Sequence, residues 1–307
     1  MKNLMISMLA MAAMVSCTSE DILDDQDPVI SDGLVPITMT AEVGHLTTKA
    51  AIGQEADGAL SADLGGVQFL RSDKETADWT ALDAPLAATI KQDGKIEFDT
   101  PQYYLKDGSK THLIGYYPAA TSTNNGIVSW TITGKEDIII SDAQSGSKTS
   151  TTALAFEFGH QLTQLQFTVK APSGETLTEK LKSVTVKNLK TTAQFDPDAA
   201  SDAFTFTGDA TNSLTTESPV KDTDLSDAGV SGGTLLIEPS AADKDFDIEV
   251  VTVDADSKEK TYKGKVKIGA AAANSYDVNL TISQQEVSGT ATVGKWTSGG
   301  PVDDNII

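Results

Sequence analysis

Apolar and polar side chains alternate along much of this sequence, and no stretch repeats them convincingly at the helical period of 3.6 residues. In residues 37–43 the apolar positions are Ile37, Met39, Ala41 and Val43. A period of two places all four on one face of a β-strand. Threonine supplies 37 of the 307 residues, and its branched Cβ packs well on a pleated surface. The pattern therefore predicts an all-β protein.

Further strands are predicted at short intervals, separated by residues that favour tight turns. A first set spans 66–70, 87–92, 95–98, 112–117, 127–133 and 137–140, with turns at Asp93-Gly94, Asp107-Gly108 and Asn125-Gly126. A second set spans 162–170, 181–190, 204–207, 234–237, 246–253, 260–268, 276–283 and 286–296. Between the sets, residues 141–152 are rich in Ser, Gly, Gln and Thr, which indicates a linker. We therefore expect two tandem β-sandwich domains, at 34–152 and 153–307.

The amino terminus has the pattern of a secretory signal peptide. Lys2 precedes a nearly unbroken apolar stretch at residues 4–15, and Cys17 follows directly after Ser16. Residues 14–17, Met-Val-Ser-Cys, resemble a lipobox, so residues 1–17 are predicted to be a lipoprotein signal peptide with a lipidated Cys17. The alternative is an ordinary signal peptide that contains a cysteine. Residues 18–33 are strongly acidic, and we expect them to be an extended tether.

Charge argues against a nucleic-acid partner. The chain has 44 Asp and Glu against 23 Lys and Arg, which gives a net charge of -21. Nucleic-acid binding depends on Lys and Arg that neutralise phosphates. Arg71 is the only arginine, and no run of lysines replaces the missing ones. No nucleic-acid partner is predicted.

Residues with the spacing of a catalytic or metal site are not found. His45, His112 and His160 are scattered, and a structural imidazole is the preferred interpretation of His160. Two groups of aspartates, at 196, 198 and 202 and at 254 and 256, do not complete a calcium loop. Solvated turns are the preferred interpretation of these groups, with an incidental calcium site as the alternative. We predict no catalytic residue, no metal site, no cofactor and no enzymatic activity.

Several short motifs, in this order, resemble the fimbrillins, the major-subunit type of type V pili. They are the lipobox, Thr47-Thr48-Lys49-Ala50 after the first strand, His112 to Pro118, Asp137 to Ala143, Phe158 to Leu162, Leu236 to Pro239, Asn274 to Tyr276, and Trp296-Thr297. Each motif is short, and together they extend over nearly the whole chain from Cys17. The resemblance implies two transthyretin-like β-sandwiches and a subunit of a cell-surface pilus that serves adhesion.

The resemblance also implies a route of assembly. Such subunits reach the outer membrane as lipoproteins, and a trypsin-like protease cuts after a basic residue near the end of the first strand. The matching residue is Lys49, before Ala50, where the family often has Arg. The first strand, at 34–46, then leaves, and the carboxy-terminal strand of a neighbouring subunit fills the groove. The implied partners are other pilin subunits, the processing protease, and the outer membrane through the lipid on Cys17.

The candidate donor strand is residues 286–296, where small apolar residues share one face: Val287, Gly289, Ala291 and Val293. In the simpler interpretation, the first and last strands are permanent and Lys49 is an ordinary loop residue. A second hypothesis is a monomeric surface lipoprotein that binds glycan through exposed aromatic side chains, with Trp79, Tyr103, Tyr104, Trp130 and Trp296 as candidates. A third is a secreted hydrolase, which would require an acid pair or a triad in a cleft.

Overall fold

In the computed structural model, the described residues form twenty-two β-strands and contain no helix. The described residues are 34–43, 45–46, 52, 60–80, 82–150, 152–199, 201, 203–217, 222–240, 242–283 and 286–297. The prediction of an all-β fold is confirmed. In this part of the chain, no helix exists that is long and apolar enough to span a membrane.

Eleven strands precede residue 161. They are β1 (Met39–Val43), β2 (His45–Leu46), β3 (Leu64–Ser72), β4 (Leu86–Ile90), β5 (Lys95–Phe98), β6 (Thr111–Tyr117), β7 (Ser122–Asn124), β8 (Ile127–Thr131), β9 (Ile139–Ser141), β10 (Gln144–Gly146) and β11 (Leu154–His160).

Eleven more strands follow. They are β12 (Thr163–Lys170), β13 (Thr176–Leu189), β14 (Thr192–Phe195), β15 (Phe204–Thr207), β16 (Asn212–Glu217), β17 (Asp224–Ser226), β18 (Val230–Ile237), β19 (Lys244–Asp254), β20 (Glu259–Ile268), β21 (Asn274–Ser283) and β22 (Glu286–Thr297).

Eight strands from the first group form a sheet in the order β10-β6-β3-β4-β5-β1-β11-β9. Since β9 also pairs with β6, the hydrogen-bonded path closes on itself. A closed sheet has an interior filled by alternate side chains. Here the interior contains the fully buried Phe69, Phe156 and Phe158, with Phe69 and Phe156 packed edge to face at 5.2 Å between ring centres.

The second sheet has ten strands, with the main order β16-β13-β19-β20-β22-β21-β12-β18. In addition, β17 pairs with β13, and β2 from the start of the chain pairs with β22. A smaller sheet, β15-β14-β8-β7, combines two strands from each group. Its turn between β7 and β8 uses Asn125 and Gly126 at φ values of 48° and 77°, which is the geometry of the predicted two-residue hairpin.

The predicted linker is structured in this fold. Residues 141–152 include the end of β9 and all of β10, which pairs with β6. The change of sheet comes later, because β11 pairs with β1 and β9 and ends at His160. Residues on both sides of this point also share one buried cluster, which includes Trp130 from β8 and Phe195 from β14. The division into domains at 34–152 and 153–307 stays a prediction.

A buried carboxylate connects three strands of the second sheet. Glu179 on β13 accepts hydrogen bonds from Thr252 Oγ1 at 2.7 Å, Tyr262 Oη at 2.8 Å and Lys260 Nζ at 2.5 Å. Burial alone would raise the pKa of Glu179, but the hydrogen bonds from Lys260, Thr252 and Tyr262 outweigh it and hold the pKa below its usual value. The ionised carboxylate therefore stabilises the sheet.

We expect Glu179→Gln to lower the free energy of unfolding by about 1 to 2 kcal/mol near neutral pH. A lowered folded pKa contributes stability above the unfolded value, about 4.3, and loses it as the pH falls through the folded value. The difference between parent and variant should therefore shrink in urea unfolding below about pH 4. Glu259→Gln, which breaks the exposed pair with Lys182, is the control and should cost under about 1 kcal/mol. An equal difference at both pH values would contradict this assignment.

Candidate assembly site

The first strand lies in the middle of the closed sheet, with a neighbour on each side. On one side β1 runs parallel to β11, with Met39 opposite Leu154 and Val43 opposite Phe158. On the other side it runs antiparallel to β5, with Met39 opposite Ile96. A strand at the amino-terminal end of the described chain is thus the element that joins β5 to β11.

Hydrogen bonds continue along this path before β1 begins. The amide of Ile37 donates to the carbonyl of Gln102 at 2.9 Å, and the amide of Tyr104 donates to the carbonyl of Val35 at 3.0 Å. On the opposite side, the amide of Leu154 donates to the carbonyl of Thr38 at 2.9 Å. The segment before β1, residues 35–38, is therefore hydrogen-bonded on both sides, as β1 is.

Burial alternates along the first strand as the sequence predicts. Ile37, Met39 and Val43 are 8%, 2% and 7% exposed, and all three belong to the cluster inside the closed sheet. Ala41 is half-buried against the same cluster. Residues Thr38, Thr40 and Glu42 on the other face are exposed. The four residues proposed for the removable strand thus share its inward face.

Arg71, the only arginine of the chain, holds the segment at residues 102–103 that lies beside Ile37. Its Nη1 donates to Gln102 Oε1 at 3.0 Å and its Nη2 to the carbonyl of Tyr103 at 2.9 Å, while Nε pairs with the Asp73 carboxylate. The guanidinium therefore positions the segment that bonds to Ile37. Its role was not predicted, although a single arginine in so acidic a chain could have indicated one.

The proposed processing site lies outside the described residues, as do Cys17 and the acidic tether 18–33. What can be described is the chain on either side of Lys49 and Ala50. Before them, β1 ends at the buried Val43. After them, Ile52 is 3% exposed and belongs to the same interior cluster as β1. A chain that began at Ala50 would keep this buried residue close to its new amino terminus.

The candidate donor strand β22 is docked on its own sheet. It pairs with β21 in an antiparallel ladder from Ser283 opposite Glu286 to Asn274 opposite Lys295. Along its inward face Val287 is buried, while Gly289 and Ala291 are half-buried. Val293, the next residue on that face, is 62% exposed. The apolar alternation thus continues past the part of β22 that its own core covers.

Gly264 on β20 allows the start of β22 to approach. A Cβ at this position would lie 1.8 Å from the carbonyl oxygen of Val287, a distance that no side chain can accept. The described ladder between β20 and β22 has one residue pair, Lys263 opposite Glu286. Local sequence pattern does not predict this contact, because a glycine in a strand can mark a bulge, a bend or the close approach of another backbone.

The aromatic residues proposed for glycan stacking are mostly buried. Trp79, Tyr104 and Trp130 are 4%, 4% and 3% exposed, which leaves no flat face for a sugar. Tyr103 is 39% exposed, and the side chain of Trp296 lies outside the described part. The glycan hypothesis loses three of its five residues.

The His and Asp residues singled out from the sequence hold turns and strands in the described part of the fold. No group of three or more His, Cys, Asp or Glu side chains there could hold a metal ion. Asp196 and Asp254 instead accept hydrogen bonds from nearby backbone amides of their own turns, those of Asp198 and Asp256 among them. His160 is buried, and its Nδ1 lies 2.8 Å from Asp137 Oδ1.

Comparison with solved structures identifies the same fold in two proposed cell adhesion proteins and a fimbrial protein. A proposed cell adhesion protein of Bacteroides uniformis ATCC 8492 is 18% identical, with a TM-score of 0.60 over 88% of this chain and 100% of that chain. A second one, from Bacteroides ovatus ATCC 8483, is 16% identical, with a TM-score of 0.59 over 88% and 99%. A fimbrial protein of Bacteroides vulgatus ATCC 8482 is 13% identical, with a TM-score of 0.53 over 85% and 99%.

Among proteins of curated function, none matches this sequence. The family comparison is more informative, because the model described as fimbrillin-like matches residues 56–296. That match spans most of the chain, from the residues after the proposed processing site to the end of the candidate donor strand. The chain belongs to the fimbrillin-like family.

Proposed function

We propose that this protein is a structural, non-enzymatic subunit of a cell-surface pilus that serves adhesion. It is exported as a lipoprotein through Cys17 and anchored in the outer membrane. A protease cuts it after Lys49, and the subunits polymerise by donor-strand exchange. Membership of the fimbrillin-like family supports a role as a pilus subunit. The names of the solved structures with the same fold, a fimbrial protein and proposed adhesion proteins, agree with it.

The observation that carries the assembly mechanism is the position of β1. A single cut after residue 49 would separate a strand that joins β5 to β11 and supplies Ile37, Met39 and Val43 to the core. Its departure leaves an apolar groove lined on both sides by backbone groups without partners. Such a groove binds an added strand through main-chain hydrogen bonds and alternate side-chain pockets.

The chemistry of β22 suits an incoming strand. Val287, Gly289, Ala291 and Val293 repeat at every second residue, as Ile37, Met39, Ala41 and Val43 do in the predicted first strand, 34–46. Both strands therefore present four small or medium apolar groups on one face. Moving Val293 into a neighbouring groove would also lose little buried apolar area, because its own core does not cover this side chain.

We expect surface-purified protein to begin at Ala50 and to form filaments. Lys49→Gln should abolish processing and filaments, because a trypsin-like protease needs a basic residue at the cut. Lys49→Arg should retain both. Amino-terminal sequencing together with electron microscopy makes the test, and Lys182→Gln, at an exposed lysine on β13, is the matched control. Filaments built from chains that begin at Cys17 would remove the processing step, and surface protein without filaments would remove the assembly.

A further inference from the structure

The last residues of β22 pair with the segment that the proposed cut removes. His45 lies opposite Thr297 and Leu46 opposite Trp296 in a short antiparallel ladder. These two residues form β2, which follows β1 directly and precedes Lys49. The first strand and the end of the candidate donor strand are therefore connected in the unprocessed chain.

Apart from β2, the described ladders give the residues of β22 beyond Glu286 one hydrogen-bonded partner strand, β21. Its ladder with β21 runs almost its full length, whereas the described ladder with β20 ends at Glu286. The start of β22 is well packed, because a Cβ on Gly289 would lie 2.5 Å from Val266 and 2.8 Å from Leu280. Beyond Ala291 the side chains of Thr292 and Val293 are exposed. β22 is thus exposed at Thr292 and Val293, and β2 is the second strand that pairs with its last residues.

We propose that β2 is a latch on the donor strand, and that the cut which opens the groove also releases the donor end. This inference rests on the proposed function. Both effects depend on the same fragment, since β1 and β2 leave together. An unprocessed subunit then neither accepts a strand, because β1 fills its groove, nor donates one, because β2 holds the end of β22.

The order of events follows from burial. Cleavage after Lys49 breaks one peptide bond, but β2 stays connected to β1, which buries Met39 and Val43, and to Ile37 just before it. The latch therefore opens only when β1 leaves its groove. Donor release is coupled to groove opening within one subunit, and the two activities appear together.

A one-way exchange assay separates the latch from the exchange itself. The acceptor is the chain without signal peptide, cut after Lys49, with Asp277→Cys and Thr292→Cys. These residues are exposed and directly opposite in the ladder between β21 and β22, so a disulfide between them locks the acceptor's own donor strand. Three labelled donors are then compared by the rate at which they form a one-to-one complex. They are the cut parent, the uncut Lys49→Gln chain, and the uncut chain that also contains His45→Pro and Leu46→Pro.

The two prolines remove both amides that β2 can donate to β22 and leave β1 unchanged. We expect the uncut Lys49→Gln chain to donate slowly, and the proline variant about tenfold faster, the factor expected for one or two backbone hydrogen bonds in water. A fourth donor serves as the control: the uncut Lys49→Gln chain with His45→Ala and Leu46→Ala keeps its amides and should remain slow. Equal rates for the three donors would overturn the latch while the exchange stands. No complex even with the cut parent would instead overturn the proposed function.

Discussion

A chain that begins at Ala50 is expected to be about 5 to 9 kcal/mol less stable than one that begins at Leu34, when no donor strand is supplied. The estimate follows from the loss of Ile37, Met39 and Val43 from the core, at about 1.5 to 3 kcal/mol for each buried side chain. The stability of a whole domain is typically about 5 to 15 kcal/mol. Filling the groove therefore contributes a large share of the folding free energy.

Chemical unfolding of the two chains measures this difference, with β22 locked by the disulfide between positions 277 and 292 so that neither chain can donate. A synthetic peptide of residues 34–46 should restore the lost stability, and a peptide of residues 286–297 should do so as well. A 34–46 peptide with Ile37→Asp and Met39→Asp is the control and should restore nothing, because carboxylates cannot enter the apolar groove. If both chains unfold at the same denaturant concentration, strand addition has no driving force here.

Local pattern predicts most strands of this fold because each has one inward face. The strands at 95–98 and 204–207 agree with β5 and β15 at both ends, and 137–140 is one residue out of step with the end of β9. Others were predicted too short, such as 234–237, where β18 begins at Val230. Strand ends are set by partner strands, and pairing over long sequence distances cannot be read from the local alternation.

β11 is the most informative strand that is missing from the predicted ones. Its burial alternates at every residue, with Leu154, Phe156, Phe158 and His160 buried, so the signal was present. The segment falls at the start of the second predicted domain, 153–307, just after the predicted linker, and no strand is predicted before residue 162. Its parallel pairing with β1 joins residues more than a hundred positions apart, and no hairpin or turn motif indicates such a pair.

The candidate site, too, could be predicted only where local alternation of apolar and polar residues indicates it. The inward residues of β1 follow from alternation. The contact between β2 and β22, the anchoring by Arg71 and the approach of Val287 to Gly264 depend on tertiary structure, so no local pattern predicts them. The placement of Lys49 at a processing site comes from the family resemblance, and it stays a prediction.

The second large effect is expected from the buried pair of Asp137 and His160. Asp137 precedes β9 and His160 ends β11, so the hydrogen bond at 2.8 Å connects the two strands where the chain leaves the first sheet. The two side chains are 1% and 2% exposed. Asp137 Oδ2 has no hydrogen-bond partner among the described residues, so the bond to His160 matters all the more.

We expect His160→Ala to lower the free energy of unfolding by about 3 to 5 kcal/mol, because it leaves the Asp137 carboxyl buried without this partner. The double variant Asp137→Leu with His160→Leu removes both polar groups, so it should be clearly more stable than His160→Ala. Denaturant unfolding of the two variants and the parent measures this comparison. If His160→Ala were as stable as the parent, the pair would not stabilise the junction. If the double variant were the less stable of the two, packing around His160, and not the unpaired carboxyl, would be the cause of the loss.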